Sequence, residues 1–137
     1  MKKKNPEAFK FFSTIDFPHV FNTRNNETYL LNRTKIINTE NEENDVYCFR
    51  YNNLDRDILD LDSKNQELFY KYYSDLAEIV RSKENEIRFK LEPGMLMLTN
   101  NWRVLHGRES FIGKRTIIGC YVNEEDYLSK LSTQLKK

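Results

Sequence analysis

A mostly β domain with two helices laid over it is the fold class this sequence predicts, and three patterns predict it. Val46 to Asn52 (Val-Tyr-Cys-Phe-Arg-Tyr-Asn) is rich in β-branched and aromatic residues, as a strand requires. Between Lys64 and Arg81 the residues Leu68, Phe69, Tyr72, Tyr73, Leu76, Ile79 and Val80 recur at three- and four-residue steps, the period of a helix with one apolar face. Glu92-Pro93-Gly94 separates Ile87 to Leu91 from Met95 to Thr99, a turn between two strands, and Arg115 to Val122 reads as a further strand.

The remaining elements follow in chain order. Pro6 to Phe12 has the makings of one or two helical turns, and 28–32 and 34–39 those of short strands. The polar run 40–45 is a solvated turn, so the strands on either side form a hairpin. Ser63 is placed as N-cap of the long helix, with Gln66 as its capping-box partner. Asn123 to Asp126 opens a last amphipathic helix carrying Tyr127, Leu128, Leu131 and Leu135, its acidic start suited to the helix dipole. The tyrosines of the long helix are assigned to packing.

Length and charge bound the function. A chain of 137 residues suits one domain or part of one, and 13% aromatic residues supply the burial that offsets chain entropy. A net charge of +1 provides no field to draw in a polyanion, so nucleic acid is not an expected partner. The basic ends, Lys2-Lys3-Lys4 and Lys136-Lys137, read as solvated tails. Cys48 and Cys120 lie in apolar runs without CxxC spacing, which predicts buried, reduced thiols and an intracellular protein. No apolar run approaches the ~20 residues that span a bilayer, so no membrane is expected.

Two stretches could carry chemistry. A period of two puts Tyr47, Phe49 and Tyr51 on one face of their strand and Cys48, Arg50 and Asn52 on the other; that polar face either meets solvent or lines a polar cavity. Asn101 to Arg108 gathers the only Trp, two Arg and His106 beside Gly107 at the end of a strand. A lone His is more often structural, yet this placement leaves one imidazole nitrogen open for a metal. Arg115, Ile117, Gly119 and Tyr121 alternate onto one face, where Arg115 either pairs with a surface carboxylate or binds a carboxylate ligand in bidentate fashion. At roughly 3.3 Å per residue, Arg115 and Tyr121 stand about 20 Å apart along such a strand, enough for two ligands.

The run from Asn100 to Phe111, then Gly113-Lys114-Arg115 and Gly119-Cys120-Tyr121, resembles the C-terminal signature of the TauD-like iron(II)- and 2-oxoglutarate-dependent oxygenases of trimethyllysine and γ-butyrobetaine. Phe49 to Arg56 and Lys90 to Gly94 resemble the same family, and the similarity runs from about Pro6 to Leu131. The resemblance implies the C-terminal part of a double-stranded β-helix, jelly-roll-like, with residues 1–137 forming a partial catalytic domain. It implies His106 as the distal histidine of a two-His, one-carboxylate iron(II) site. Arg115 would bind the far carboxylate of the cosubstrate 2-oxoglutarate, and Tyr121 would form one wall of an aromatic cage around a trimethylammonium substrate. Asn52 would contact the polar end of that substrate, with Arg50 as its neighbour.

The implied reaction is hydroxylation of N6-trimethyllysine at its β-carbon with oxygen and 2-oxoglutarate, ascorbate serving as reductant, at the entry to carnitine synthesis. A γ-butyrobetaine dioxygenase is the alternative, and a non-catalytic remnant or interaction module a second one. A homodimer and a mitochondrial or cytoplasmic location are further expectations from the family. The chain departs from it in one respect: the His-x-Asp pair that supplies the other two iron ligands is absent, since His19 is followed by Val20 and Phe21.

Overall fold

The computed structural model describes residues 1–22, 29–40 and 45–135. The expected strand start at Thr28, most of the turn at 40–45 and the basic end Lys136-Lys137 fall outside them. The chain packs as two compact units, Met1–His106 and Gly107–Lys137.

The first unit opens with helix α1, Pro6–Thr14. The Asn5 side chain caps it by accepting from the Ala8 N–H at 3.0 Å, and Pro6 stands at the first position, where its missing N–H costs nothing. Ala8, Phe9, Phe11 and Phe12, one helical face, are buried. Strands β1 (Phe17–Asn22) and β2 (Tyr29–Thr34) pair antiparallel with Phe17 opposite Thr34 and His19 opposite Asn32. Strands β3 (Ile37–Thr39) and β4 (Val46–Phe49) form the expected hairpin, its turn closed by the Glu40 N–H donating to Asp45 O at 3.0 Å. Each sheet has two strands.

Helix α2, Ser63–Arg81, is the longest element and matches its expected span. Its N-cap is Asp62 and not Ser63, because the Asp62 carboxylate reaches the Asn65 N–H at 3.0 Å. Gln66 does not complete a capping box; it donates back to the Leu59 and Leu61 carbonyls and so ties down the chain that enters the helix. Phe69, Tyr72 and Leu76 are buried on one face, which bears out the packing role of Tyr72. A short 3₁₀ turn, Lys83–Asn85, follows, where Glu84 receives Lys4 at 2.7 Å. The Lys2 ammonium lies 6.0 Å from the Phe9 ring, so these two lysines lie against the fold and are not a free tail.

The core of this unit is a set of rings. Phe12, Phe17 and Phe69 are fully buried; Phe69 meets Phe12 edge-on at 5.7 Å and Phe17 at 5.1 Å. Such geometries place a positive ring edge against a negative face, adding about 0.5–1.5 kcal/mol per pair to the area buried. Ile36, Ile37 and Leu59 close the cluster.

The second half departs from the sequence reading. The expected Pro93-Gly94 turn is present: the Met95 N–H donates to Glu92 O at 3.1 Å, with Gly94 at φ +86°, the left-handed value a type II turn requires. Its flanks, 87–91 and 95–99, do not form strands, and neither do residues 115–122 in the second unit. A strand exists only where its N–H and C=O groups meet a neighbouring ladder, and alternation in a sequence cannot supply one. The helices therefore hold more of the described residues than the strands do, against the mostly β expectation. Helix α3, Glu124–Leu135, forms where predicted, with Glu124, Glu125 and Asp126 in its first turn. Both cysteines are free; Cys48 is buried as expected, whereas Cys120 is exposed because no sheet layer covers the stretch it lies in.

Truncating Phe69 to Ala is expected to destabilise the first unit by about 3–5 kcal/mol in urea unfolding. Tyr70→Ala, on the exposed side of the same helix, should cost far less.

Candidate functional site

The first unit holds two of the four residues assigned a binding role, His106 and Asn52. The backbone brings their segments to the same strand. The Asn100 side chain accepts from the Trp102 N–H, and its carbonyl accepts from Arg103 and Val104, which folds 100–104 into a turn. That turn lies against β4: the Phe49 N–H donates to Trp102 O at 2.8 Å, and the Trp102 ring sits 6.2 Å from Tyr47. His106 follows four residues beyond this anchor, exposed, at the end of the unit.

Asn52 stands three residues past Phe49 and is also exposed. Its amide is engaged locally, accepting from the Leu54 N–H at 3.0 Å and donating to the Asp55 carboxylate at 2.6 Å. A substrate group meeting Asn52 would have to exchange for one of these bonds. Arg50 is exposed as well, and Cys48 on the same face is buried. The polar part of this face meets solvent in the structure.

What holds the Asn52 segment in place was not legible in the sequence. Residues 55–57 lie beside β1, where the Val20 N–H donates to Asp55 O at 2.8 Å and the Asp57 N–H to Pro18 O at 3.2 Å. The Arg56 guanidinium then lies over the Tyr73 ring at 5.0 Å and the Phe69 ring at 5.2 Å. Phe49, Tyr51, Tyr73 and Phe69 stack in succession with interplanar angles of 14°, 21° and 15°. Arg56 caps this column. Its Nη1 is buried without a hydrogen-bond partner among the described residues, so the ring faces supply much of the compensation for its charge. The residues concerned lie 13 to 17 positions apart, beyond any local pattern; an Arg flanked by acids just ahead of a tyrosine-rich helix was the available signal.

His19, opposite Arg56 across an isolated bridge, is half-buried, and its Nδ1–H donates to the Phe17 carbonyl at 2.9 Å. Burial holds its imidazole below the ordinary 6.5, helped by the charges of Arg50 and Arg56 and opposed by the Phe17 carbonyl and Asp55. Its tie to that carbonyl makes it a structural residue.

The second unit holds Arg115 and Tyr121. Gly113, at φ +99°, bends the chain so that Arg108 and Arg115 both approach Phe111, their guanidinium carbons 5.1 and 5.9 Å from the ring centre. Two cations gathered by one ring form a surface suited to a carboxylate. Tyr121 is 85% exposed.

Iron(II) is matched only in part by these donors. His106 offers one imidazole, and among the described residues no group of three or more His, Cys, Asp or Glu could hold a metal. The described residues therefore do not by themselves complete such a site. Among the described residues no helix is long and apolar enough to cross a membrane.

The sequence resemblance over most of the chain points to an oxygenase class, and direct comparison gives the family. The chain belongs to the family described as taurine catabolism dioxygenase TauD, TfdA family, whose model matches residues 1–121. Dioxygenases of that family are generally dependent on Fe(II) and 2-oxoglutarate. Among individual relatives, the mitochondrial trimethyllysine dioxygenase of Bos taurus is 33% identical over 132 residues, covering 93% of this chain and 31% of its own length. Trimethyllysine dioxygenase of Neurospora crassa is 30% identical over 134 residues, covering 95% of this chain and 28% of its own. Gamma-butyrobetaine dioxygenase of Homo sapiens is 30% identical over 138 residues, covering 96% and 35%. The chain thus spans about a third of the length of the relatives it matches.

Because the His19 imidazole sits below its unfolded value, the unfolded chain takes up a proton first as pH falls. Stability should therefore decline as pH drops from about 6.5 toward the folded-state value, and hold steady above it. Thermal melts of the wild type and His19→Gln between pH 7.5 and 5 check this; the variant should show the smaller decline.

Proposed function

We propose that this chain is the part of a trimethyllysine dioxygenase that carries the distal iron ligand and the cosubstrate arginine. The observation that carries the reading is the match of nearly the whole chain, at 33% identity, to relatives bearing that name. In this reading His106 supplies one imidazole to Fe(II) and Arg115 holds the far carboxylate of 2-oxoglutarate. Asn52 meets the polar end of N6-trimethyllysine, beside Arg50, and Tyr121 forms a wall of the cage for its trimethylammonium group.

The pairing of Arg108 with Arg115 around Phe111 supports the cosubstrate role, since a diacid terminus gains from two guanidinium groups held on one side. The exposure of Tyr121 leaves its ring face open to a quaternary ammonium, which cannot donate hydrogen bonds and is drawn by the ring quadrupole. The Asx turn at Asn52 supports its role by fixing the amide before substrate arrives. When iron is bound the metal supplies oxygen activation; the residues here bind and orient. Ascorbate as reductant, a jelly-roll closure and a mitochondrial location belong to the same proposal. The relative named gamma-butyrobetaine dioxygenase, at 30% identity over 96% of the chain, supports γ-butyrobetaine as the second substrate reading.

Titration of 2-oxoglutarate into the purified chain by calorimetry or ligand-observed NMR tests the central assignment. Arg115→Met should weaken binding by roughly 10- to 100-fold, the range of a charge-assisted hydrogen-bonded pair at about 1.5–3 kcal/mol, whereas Tyr70→Ala should not alter it. Equal binding by wild type and Arg115→Met would remove Arg115 from the cosubstrate site.

A further inference from the structure

Tyr73 does more in this fold than the packing assigned to the tyrosines of its helix. It stands four residues after Phe69, so the two rings share one face of α2 a turn apart and stack at 5.2 Å with an interplanar angle of 15°. The next ring outward is Tyr51, stacked on Tyr73 at 5.2 Å and 21°. The Tyr73 hydroxyl donates to Asn53 Oδ1 at 2.9 Å, across 20 positions of chain. The Arg56 guanidinium carbon stands 5.0 Å from the same ring centre.

Tyr51, Asn53 and Arg56, which flank Asn52, therefore converge on one side chain. The Asx turn of Asn52 is local: the Leu54 N–H donates to its carbonyl, its own amide donates to Asp55, and Asn52, Asn53 and Leu54 are all exposed. A solvated turn of this kind opens at little cost, because water competes for each of its bonds. Tyr73 is half-buried on a helix whose Phe69, Tyr72 and Leu76 lie in the core, so its contacts lend the turn the rigidity of α2. Burial pushes the Tyr73 phenol above its usual range, against the pull of the Arg56 charge, which keeps the hydroxyl a donor to Asn53.

We propose that Tyr73 is the positioning residue for Asn52: its ring holds Tyr51 and its hydroxyl holds Asn53, so the amide between them is presented in one orientation to the polar end of the substrate. Tyr73 itself touches no substrate in this role. Resting on the functional reading above for what Asn52 meets, and on geometry for what holds it, the role makes Tyr73 a determinant of selectivity for the amino-acid end of trimethyllysine. The trimethylammonium end, assigned to Tyr121, is indifferent to it.

Tyr73→Phe keeps the ring and removes the hydroxyl, so the core should be unchanged while the turn loosens. In hydrogen-exchange NMR of the ligand-free chain, the Leu54 amide and the Asn52 carboxamide should exchange several-fold faster, with the amides of Phe69, Tyr72 and Leu76 unaltered. Tyr70→Phe, on the exposed side of the same helix, should move neither group. Unaltered exchange at Asn52 and Leu54 in Tyr73→Phe overturns the proposal, and so does acceleration spread equally through α2, which would make the hydroxyl a structural support only. Titration of N6-trimethyllysine and of pentyltrimethylammonium, the same cation without the amino-acid end, tests the coupling to substrate. Tyr73→Phe should weaken trimethyllysine binding roughly 2- to 10-fold, the span of one net hydrogen bond, and leave pentyltrimethylammonium unchanged. In an Asn52→Ala background it should weaken neither ligand further. A further loss there would mean that Tyr73 acts by another route, and overturns the proposal. If Asn52→Ala leaves trimethyllysine binding unchanged, or the wild type does not bind it, the substrate reading of Asn52 fails and the exchange result alone decides the role of Tyr73.

Discussion

The contact on which the first unit depends is the Phe69 ring, held by Phe12 and Phe17 on one side and stacked on Tyr73 on the other, with the Arg56 guanidinium over both stacked rings. Phe69 faces the core because α2 keeps its apolar positions at helical spacing. Arg56 reaches it because the two backbone bonds to β1 fix residues 55–57. The consequence is positional: the segment bearing Asn52 is tethered at Phe49 by β4 and at Arg56 by the ring column. An aromatic core of this kind tolerates little loss of volume, so the geometry around Asn52 is as stable as the core itself.

That core ends with α2. Beyond the 3₁₀ turn the described residues contribute turns, Trp102 bonded to β4, apolar segments outside any strand ladder and helix α3. The boundary separates two kinds of sequence. Among the described residues the buried apolar side chains all lie between Ala8 and Leu76, although Phe21, Leu31, Leu54 and Ile58 are exposed there; from 87 onward none is buried. The same boundary divides the assigned residues, since Asn52 rests on packed structure whereas His106, Arg115 and Tyr121 lie on the uncovered part.

Local patterns in the sequence were read correctly where the physics is local. α2 and α3 announced themselves by helical spacing and acidic or capping residues, the β3–β4 hairpin by its polar turn, and the Pro93-Gly94 turn by residue types alone. The N-cap was misplaced by one position because Asp62 and Ser63 are both good acceptors and only geometry chooses between them. β1 was missed because Phe-Pro-His-Val-Phe-Asn lacks clean alternation and is made a strand by β2 and by residues 55–57. Strands expected at 87–91, 95–99 and 115–122 failed for the opposite reason: the strand-like residue pattern was present and the ladder was not. The candidate site residues His106, Arg115, Asn52 and Tyr121 were assigned through family resemblance, since residue patterns alone left each of them with a structural alternative. Arg56 and the ring column that positions Asn52 were not legible, because they join residues distant along the chain.

Hydrogen–deuterium exchange on the isolated 137-residue chain addresses the central claim most directly, that the buried core of the first unit ends with α2 and that 87–99 lie outside it. Strong protection of α1, β3, β4 and α2, with amides 87–99 exchanging at nearly the rate of an unstructured peptide, is the predicted result. Protection of 87–99 equal to that of α2 would mean that these segments are held in a sheet, and would contradict that division of the fold.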